Sequence, residues 1–412
     1  MKHERTDKME EQGILTSMAR FFYWLLLLAG LNACSDEDPL PPPEEDEFFI
    51  ASNVLLELSR AETQQLVQLT GYGEFVDLVE NGFTIHRVTY KTTFRDSDIT
   101  ASGLVVIPDG VDGPFPLLSA HHGTIFSHEE APSEFSLARG ITGFELFSAA
   151  GFVSIIPDYL GYGESKEILH PYYNFKYTSS AILDMISATK EFLDNQSVPF
   201  NDKLFLVGYS AGGYATLATH KAIENNSTLG LTVTASAAGA GGYDIVGVMD
   251  EILKNETYST PAYLAFITYA AIQTNRWPDP LTDFFQEPYA TTIPGLLDGS
   301  FTQSAVNNAL TTDLGTLFNT DLLTDLRNGV GHQLSDEFER NSVDDWSPTT
   351  TIRLYHSPGD EIIPIGNSVE TAARLSANGG TDVKFIEVGG NSHGAAFIPM
   401  LEDVVPWFIS LR

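Results

Sequence analysis

Cysteine and basic side chains are scarce in this chain of 412 residues. Cys34 is the single cysteine, so no disulfide can form within the chain and no second thiol remains for catalysis. Lysine and arginine number 22 against 55 aspartates and glutamates, which gives a formal net charge of −33. This acidity argues against nucleic acid or an anionic membrane surface as a partner. No metal and no organic cofactor is expected.

The longest apolar run near the amino terminus is also short. Residues 21–31 follow Arg20 and cannot span a bilayer comfortably, but they suit the apolar region of a signal peptide. Residues 31–34 (LNAC) resemble the lipobox of bacterial lipoproteins, which implies cleavage before Cys34 and lipidation of that cysteine. The alternative is a plain secretory signal with an incidental cysteine. We therefore expect an exported protein that is lipid-anchored to a bacterial membrane, with the outer membrane and cell surface favoured.

Composition and pattern divide the chain into five segments. Residues 1–17 are charged and unlike the start of a signal peptide, so translation is expected to begin at Met18. Acidic residues and prolines dominate residues 35–47, which cannot bury apolar area and are predicted to form an extended tether. The predicted segments are a signal peptide with lipobox (1–34), the tether (35–47), a first core part (48–243), a helical cap (244–345) and a second core part (346–412).

A glycine-flanked serine organises the core. Residues 208–212 (GYSAG) follow the apolar run 204–207 and precede a helix-compatible stretch, 213–224. Strand, tight turn and helix are the context of a nucleophile elbow, in which Ser210 adopts a strained backbone conformation and exposes its hydroxyl. The amides at the start of the following helix would then face a developing oxyanion.

Strand-like and helix-like runs alternate along most of the chain. This alternation predicts an α/β fold with a mostly parallel sheet and helices on both faces. It stops after Tyr243, and residues 244–345 contain helical runs punctuated by prolines, so we predict a cap inserted between the sixth and seventh predicted strands. The eight predicted strands are 83–90, 99–107, 116–120, 152–156, 204–207, 231–237, 352–356 and 382–388.

Two loops at strand ends supply partners for the serine. Asp360 follows strand 352–356, and His393 follows strand 382–388. Ligands of an open parallel sheet bind at the carboxyl ends of its strands, so both loops are expected to converge on Ser210. His393 would act as the base and Asp360 would orient it, in the chain order Ser, Asp, His of α/β-hydrolases. Asp244, just after strand 231–237, is the alternative acid.

The oxyanion needs two amides, for which we predict Ala211 and Thr124. Thr124 ends the sequence His122-Gly123-Thr124, which resembles the HG-x loop of the same fold. Substrate contacts are predicted for Tyr209, His122 and Gly123. His121 and His122 could suggest a metal, but no carboxylate or cysteine lies at ligand spacing nearby, so a structural role is favoured.

Residues 80–412 resemble the α/β-hydrolase fold as a whole. Residues 157–165 (PDYLGYGES) and 170–172 (HPY) are similar to the secretory-lipase branch, which comprises Candida lipase A-like enzymes and bacterial lipoprotein esterases. The resemblance implies a helical cap and a carboxylic ester hydrolase, without naming the ester. Yeast members of this branch build the oxyanion loop without an HG-x sequence. Their substrate preferences therefore cannot be inferred for this chain.

Three other functions remain open. A serine peptidase of the prolyl-oligopeptidase type shares the fold and triad, but residues 48–82 are too short for its propeller. A glycan acetyl or feruloyl esterase would be a subclass of the main prediction. A non-catalytic surface binding protein is the third, although every expected catalytic residue is present. The partner is therefore expected to be a small-molecule, glycan or lipid ester; the oligomeric state is left open.

Overall fold

A nine-stranded sheet forms the centre of the computed structural model, which describes residues 47–412. The strands lie side by side in the order β1-β2-β3-β5-β4-β6-β7-β8-β9. Their bounds are β1 Phe49–Leu58, β2 Gly82–Phe94, β3 Ser97–Asp109, β4 Phe115–His121, β5 Val153–Pro157, β6 Phe200–Tyr209, β7 Val233–Gly239, β8 Thr351–His356 and β9 Val383–Glu387.

The sheet is antiparallel at one side and parallel over the rest. β1, β2, β3 and β5 pair antiparallel, whereas β5, β4, β6, β7, β8 and β9 pair parallel. The carboxyl ends of the parallel strands therefore meet at one edge of the sheet. All eight predicted strands are present, and the structure adds β1, which the sequence pattern did not predict.

Helices cover both faces because side chains alternate along each central strand. In β6, Leu204 and Leu206 face helix Phe175–Asn195, whereas Phe205 and Val207 face helix Phe397–Leu411. The Phe205 and Phe408 rings lie 4.8 Å apart between their centroids. The α-helices outside the cap are Arg60–Leu69, Glu145–Ala149, Phe175–Asn195, Ala211–Asn225, Ile365–Ala377 and Phe397–Leu411.

One segment among residues 47–412, Gly394–Leu411, is apolar and long enough to cross a membrane by length and composition. Its Leu401, Val404 and Phe408 side chains are completely buried against the sheet. This packing identifies the segment as a core helix of the folded domain. The expected signal peptide, Cys34 and most of the tether lie outside the described residues.

The cap comprises residues 245–341, between β7 and β8. Its α-helices are Ile245–Leu253, Pro261–Asn275, Tyr289–Leu296, Gln303–Ala309, Leu314–Leu317, Thr320–Arg327 and Gln333–Asn341. One apolar cluster includes residues of both the core and the cap, among them Leu217 of helix Ala211–Asn225 and Phe266 of the cap. Tyr214 of the same core helix also donates its hydroxyl to the Asn341 carbonyl of the cap at 2.8 Å. The cap is thus fastened to the sheet through the helix that follows Ser210.

Candidate active site

Ser210 lies in a tight turn between β6 and helix Ala211–Asn225. Its backbone has φ 58° and ψ −126°, a region that L-residues rarely occupy. A Cβ on Gly208 would lie 2.2 Å from the Gly212 carbonyl oxygen, and one on Gly212 would lie 1.9 Å from the His121 carbonyl oxygen. Both positions therefore require glycine. The Ser210 N–H donates to the Gly239 carbonyl at 2.8 Å, which fixes the turn to β7.

His393 bridges the serine and an aspartate. Its Nε2 lies 2.8 Å from Ser210 Oγ, and its Nδ1 lies 2.6 Å from Asp360 Oδ2. The three side chains come from the loops after β6, β8 and β9, so the structure brings all three predicted residues together at the carboxyl edge. In such an arrangement a histidine can serve as the base for a serine oxygen, and a carboxylate can orient that histidine.

The Asp360 carboxylate is fully buried and hydrogen-bonded at both oxygens. Oδ1 accepts the amides of Ile362 and Ile363, both at 2.9 Å, and Oδ2 also lies 3.0 Å from His356 Nε2. Burial alone would raise the pKa of this carboxyl, but the hydrogen bonds from His356 and His393 outweigh it and hold the pKa well below its usual range. Asp360 is therefore ionised. Sequence reasoning missed His356, although its place four residues before Asp360 was visible.

Two side chains hold the main chain of His393. Glu361 Oε2 accepts the His393 N–H at 2.8 Å, and Tyr209 donates its hydroxyl to the His393 carbonyl at 2.6 Å. Tyr209 was predicted to contact substrate, but its hydroxyl is occupied by this bond and its ring is mostly buried. Glu361 follows Asp360 directly in the chain, and the loop between β8 and helix Ile365–Ala377 turns both carboxylates toward His393.

The loop after β4 runs against the serine turn. A Cβ on Gly123 would lie 3.6 Å from Ser210 Cβ, and Thr124 shares a pocket with Ser210. Thr124 Oγ1 lies 2.6 Å from the Tyr172 hydroxyl, which anchors this loop to the chain after β5. Ala211 begins helix Ala211–Asn225, where backbone N–H groups have no acceptor within the helix. Both predicted oxyanion amides therefore lie beside Ser210.

The paired histidines on this loop are engaged by the protein. His121 has Nε2 2.9 Å from Ser119 Oγ and Nδ1 2.8 Å from Thr216 Oγ1, and burial lowers its pKa to about 3. His122 contacts the carbonyls of Gly123 at 2.7 Å and Asp158 at 3.3 Å, and burial lowers its pKa. His122 is therefore placed to brace the loop, away from the pocket wall, although it was predicted to contact substrate.

Metal-binding geometry is not found within residues 47–412, where no group of three or more His, Cys, Asp or Glu side chains could hold an ion.

Asp244, the alternative acid, caps helix Ile245–Leu253 by accepting the Gly247 N–H at 2.8 Å. Its Oδ2 lies 3.7 Å from Arg374. The carboxylate that reaches His393 is Asp360, and Asp244 has a structural position.

The segment after β5 contacts the loop that follows β4. The buried Asp158 accepts the Ser133 N–H at 2.7 Å and the Ser102 hydroxyl at 2.6 Å. Burial raises the pKa of this carboxyl, which the two donors partly offset. Tyr162 donates its hydroxyl to the Ile125 carbonyl at 2.6 Å, next to Thr124. The PDYLGYGES segment therefore supports the loop that contains Thr124.

A mostly apolar pocket opens at Ser210, with about 490 Å³ of empty space that is partly open to solvent. Thr124, Tyr172 and Tyr173 form one wall, and Ile362 and Ile363 of the Asp360 loop form another. The remaining apolar wall comes from the cap, through Ile245, Val248, Met249, Ile252, Leu264 and Ile267. The cap therefore supplies most of the apolar surface that a substrate on Ser210 would meet.

Most aromatic residues of the cap are used to pack it. Among Tyr263, Phe266, Tyr269, Phe284, Phe285 and Phe318, the four phenylalanines are buried in the apolar cluster. Tyr263 alone of these six lines the pocket at Ser210. Tyr258 of the cap lines the pocket as well. The pocket is thus built mainly from aliphatic residues of the first two cap helices.

Comparison with solved structures gives the same fold in three organisms. A proposed hydrolase from Legionella pneumophila is 25% identical with a TM-score of 0.80, and the alignment covers 89% of this chain and 98% of that one. A variant of the rice cell wall degrading esterase LipA from Xanthomonas oryzae is 24% identical with a TM-score of 0.77 over the same shares. Candida antarctica lipase A is 16% identical with a TM-score of 0.65, covering 89% and 82%. The predicted α/β-hydrolase fold is confirmed.

A comparison with curated protein sequences gives no match. The profile of the secretory lipase family, in contrast, matches residues 145–410, well over half of the chain. This stretch contains Ser210, the cap, Asp360 and His393. The chain therefore belongs to the secretory lipase family and is an α/β-hydrolase that cleaves carboxylic esters.

Proposed function

We propose that the enzyme cleaves esters through an acyl-enzyme on Ser210, with His393 as the base and Asp360 as the orienting acid. The observation that carries the proposal is the continuous hydrogen-bonded chain Ser210 Oγ, His393, Asp360, with contacts of 2.8 and 2.6 Å. The ionised state of Asp360 supports it, because a negative charge there stabilises the imidazolium that forms when His393 takes the serine proton.

The reaction proceeds in two halves. Ser210 Oγ attacks the ester carbonyl carbon while its proton moves to His393 Nε2, and the amides of Ala211 and Thr124 bind the resulting oxyanion. The tetrahedral intermediate collapses, the alcohol leaves with the proton from His393, and the acyl group stays on Ser210. Water then attacks the acyl-enzyme with His393 again as base, which releases the carboxylic acid and restores the serine.

We further propose that short to medium acyl chains are the preferred substrates. The pocket at Ser210 is walled by aliphatic side chains such as Val248, Met249 and Ile252, where each buried methylene contributes about 0.8 kcal/mol at best. The pocket has a limited volume, so the gain in binding free energy from each added methylene ends when the space is filled. A glycan acetyl esterase is the second candidate, supported by the likeness to a cell wall degrading esterase.

The family's secretory character supports export of the enzyme. We propose in addition that the exported protein is held at a bacterial membrane by lipid on Cys34, on the basis of the lipobox-like residues 31–34. The acidic segment 35–47 would then separate the anchor from the domain that begins with β1. This arrangement would leave the pocket free to meet a substrate outside the cell.

Replacement of the nucleophile tests the mechanism. Ser210→Ala should lower kcat/KM for p-nitrophenyl butyrate on the order of 10³–10⁶-fold, because no acyl-enzyme can form. Ser227→Ala, outside the site, serves as the matched control and should retain full activity. If Ser210→Ala keeps a tenth of the activity, the assignment is wrong.

The alternative functions are tested on the wild-type enzyme. Cleavage of a prolyl amide in preference to the ester would favour a peptidase, and turnover of neither substrate would favour a binding protein.

The identity of the acid is tested by two matched substitutions. Asp360→Asn should reduce kcat on the order of 10²–10⁴-fold, because the amide no longer stabilises the imidazolium form of His393. Asp244→Asn should leave kcat within about twofold and stability nearly unchanged, since asparagine caps a helix as well as aspartate does. Both variants are assayed at saturating p-nitrophenyl butyrate. A larger loss in Asp244→Asn contradicts the proposed acid.

Acyl preference is tested with esters from acetate to palmitate. We expect kcat/KM to rise from acetyl to about butyryl or hexanoyl, because apolar contact grows until the pocket is filled. Val248→Trp should move the optimum toward shorter chains, whereas Val330→Trp, on an exposed part of the cap, should not. A sharp optimum at acetate would instead support glycan deacetylation. An optimum at palmitate with interfacial activation would indicate a lipase for long-chain substrates.

Membrane anchoring is tested by Cys34→Ala. The wild-type chain should incorporate labelled fatty acid and fractionate with membranes, and the variant should lose both properties, because the thiol is the proposed attachment point. Esterase activity of the variant should be unchanged, which provides an internal control for folding. If the wild-type chain incorporates no label and does not fractionate with membranes, the lipobox interpretation is wrong and the segment is a plain secretory signal.

A further inference from the structure

A second histidine, besides His393, contacts the orienting acid. His356 is the last residue of β8 and is completely buried. Its Nε2 lies 3.0 Å from Asp360 Oδ2 and 3.0 Å from the Ile363 carbonyl oxygen, and its Nδ1 lies 2.7 Å from Ser368 Oγ. Its ring therefore has a polar partner at both nitrogens without touching the serine or the pocket.

The tautomer of His356 follows from these partners. The carbonyl of Ile363 and the ionised carboxylate of Asp360 can only accept hydrogen bonds. His356 Nε2 must therefore carry a proton and donate it. The Ser368 hydroxyl can then donate to Nδ1, so that a neutral imidazole satisfies every contact.

The shared carboxylate oxygen makes this contact relevant to the reaction. Asp360 Oδ2 accepts hydrogen bonds from both His356 and His393, at 3.0 and 2.6 Å. The opposite oxygen is fixed by the amides of Ile362 and Ile363. His356 is thus the side chain that fixes Oδ2 in the direction His393 requires.

We propose that His356 is a positioning residue for ester hydrolysis, which acts through Asp360 by donating Nε2–H to Oδ2. This inference rests on the proposed Ser210–His393–Asp360 mechanism. Loss of the donor lets the carboxylate rotate or shift, and a displacement of about 1 Å near reacting groups can cost about 10²-fold in rate. His356 itself does not line the pocket, so its loss should affect kcat more than KM.

Two amide substitutions of different length separate positioning from packing. The glutamine amide of His356→Gln can reach the place of Nε2 and donate to Asp360, whereas the shorter amide of His356→Asn cannot. His356→Asn should lower kcat about 10- to 100-fold with KM within about twofold, and His356→Gln should recover most of the rate. Thermal midpoints of both variants are measured alongside, because both leave space in the buried site.

A double-mutant cycle provides the second readout. If His356 acts through Asp360, adding His356→Asn to Asp360→Asn should cause little further loss of kcat. Equal losses in both backgrounds, or equal rates for His356→Gln and His356→Asn, would overturn the inference in favour of a packing role. The proposed mechanism itself is judged separately by Ser210→Ala, so a failed triad and a failed positioning role give different results.

Discussion

The strained backbone of Ser210 is the constraint on which the site depends. Its φ of 58° and ψ of −126° cost about 1–3 kcal/mol, which the surrounding structure must offset. Three strands do so. β6 leads into the turn, and Gly239 at the end of β7 accepts the Ser210 N–H. At the end of β4, the His121 carbonyl oxygen lies 1.9 Å from the place that a Cβ on Gly212 would take. Because these strands also form the middle of the sheet, the position of the serine oxygen is fixed by the core.

The buried charge of Asp360 is the second constraint. A carboxylate removed from water is costly unless its oxygens are fully hydrogen-bonded, and here two backbone amides and two imidazole rings supply the donors. The amides of Ile362 and Ile363 belong to the same short loop that lines the pocket. Charge stabilisation and substrate contact are therefore built into one stretch of chain, so a change in that loop affects both.

The sequence predicted that Ser210, Asp360 and His393 would meet, because each lies in a loop directly after a strand. That rule depends only on strand order and on the shared direction of parallel strands. It did not predict β1, because most residues of this edge strand are exposed and the apolar alternation that marks a half-buried strand is weak.

The directions in which individual side chains point could not be predicted from the sequence either. Tyr209 neighbours the nucleophile along the chain, yet its ring crosses to the His393 carbonyl. Glu361 neighbours Asp360, and the local turn aims it at the same histidine. His356 was visible only as the end of a strand. These contacts join residues that are up to 184 positions apart, and no local pattern encodes them.

The cap enters the chain at a single point in the sheet, after β7 and before β8. Its helices line the pocket while the strands and their loops carry Ser210, Asp360 and His393. In evolutionary terms, substitutions in this one segment can reshape a large part of the pocket wall without altering those three side chains. Related enzymes can thus diverge toward different esters by remodelling residues 245–341, with no new catalytic machinery to assemble.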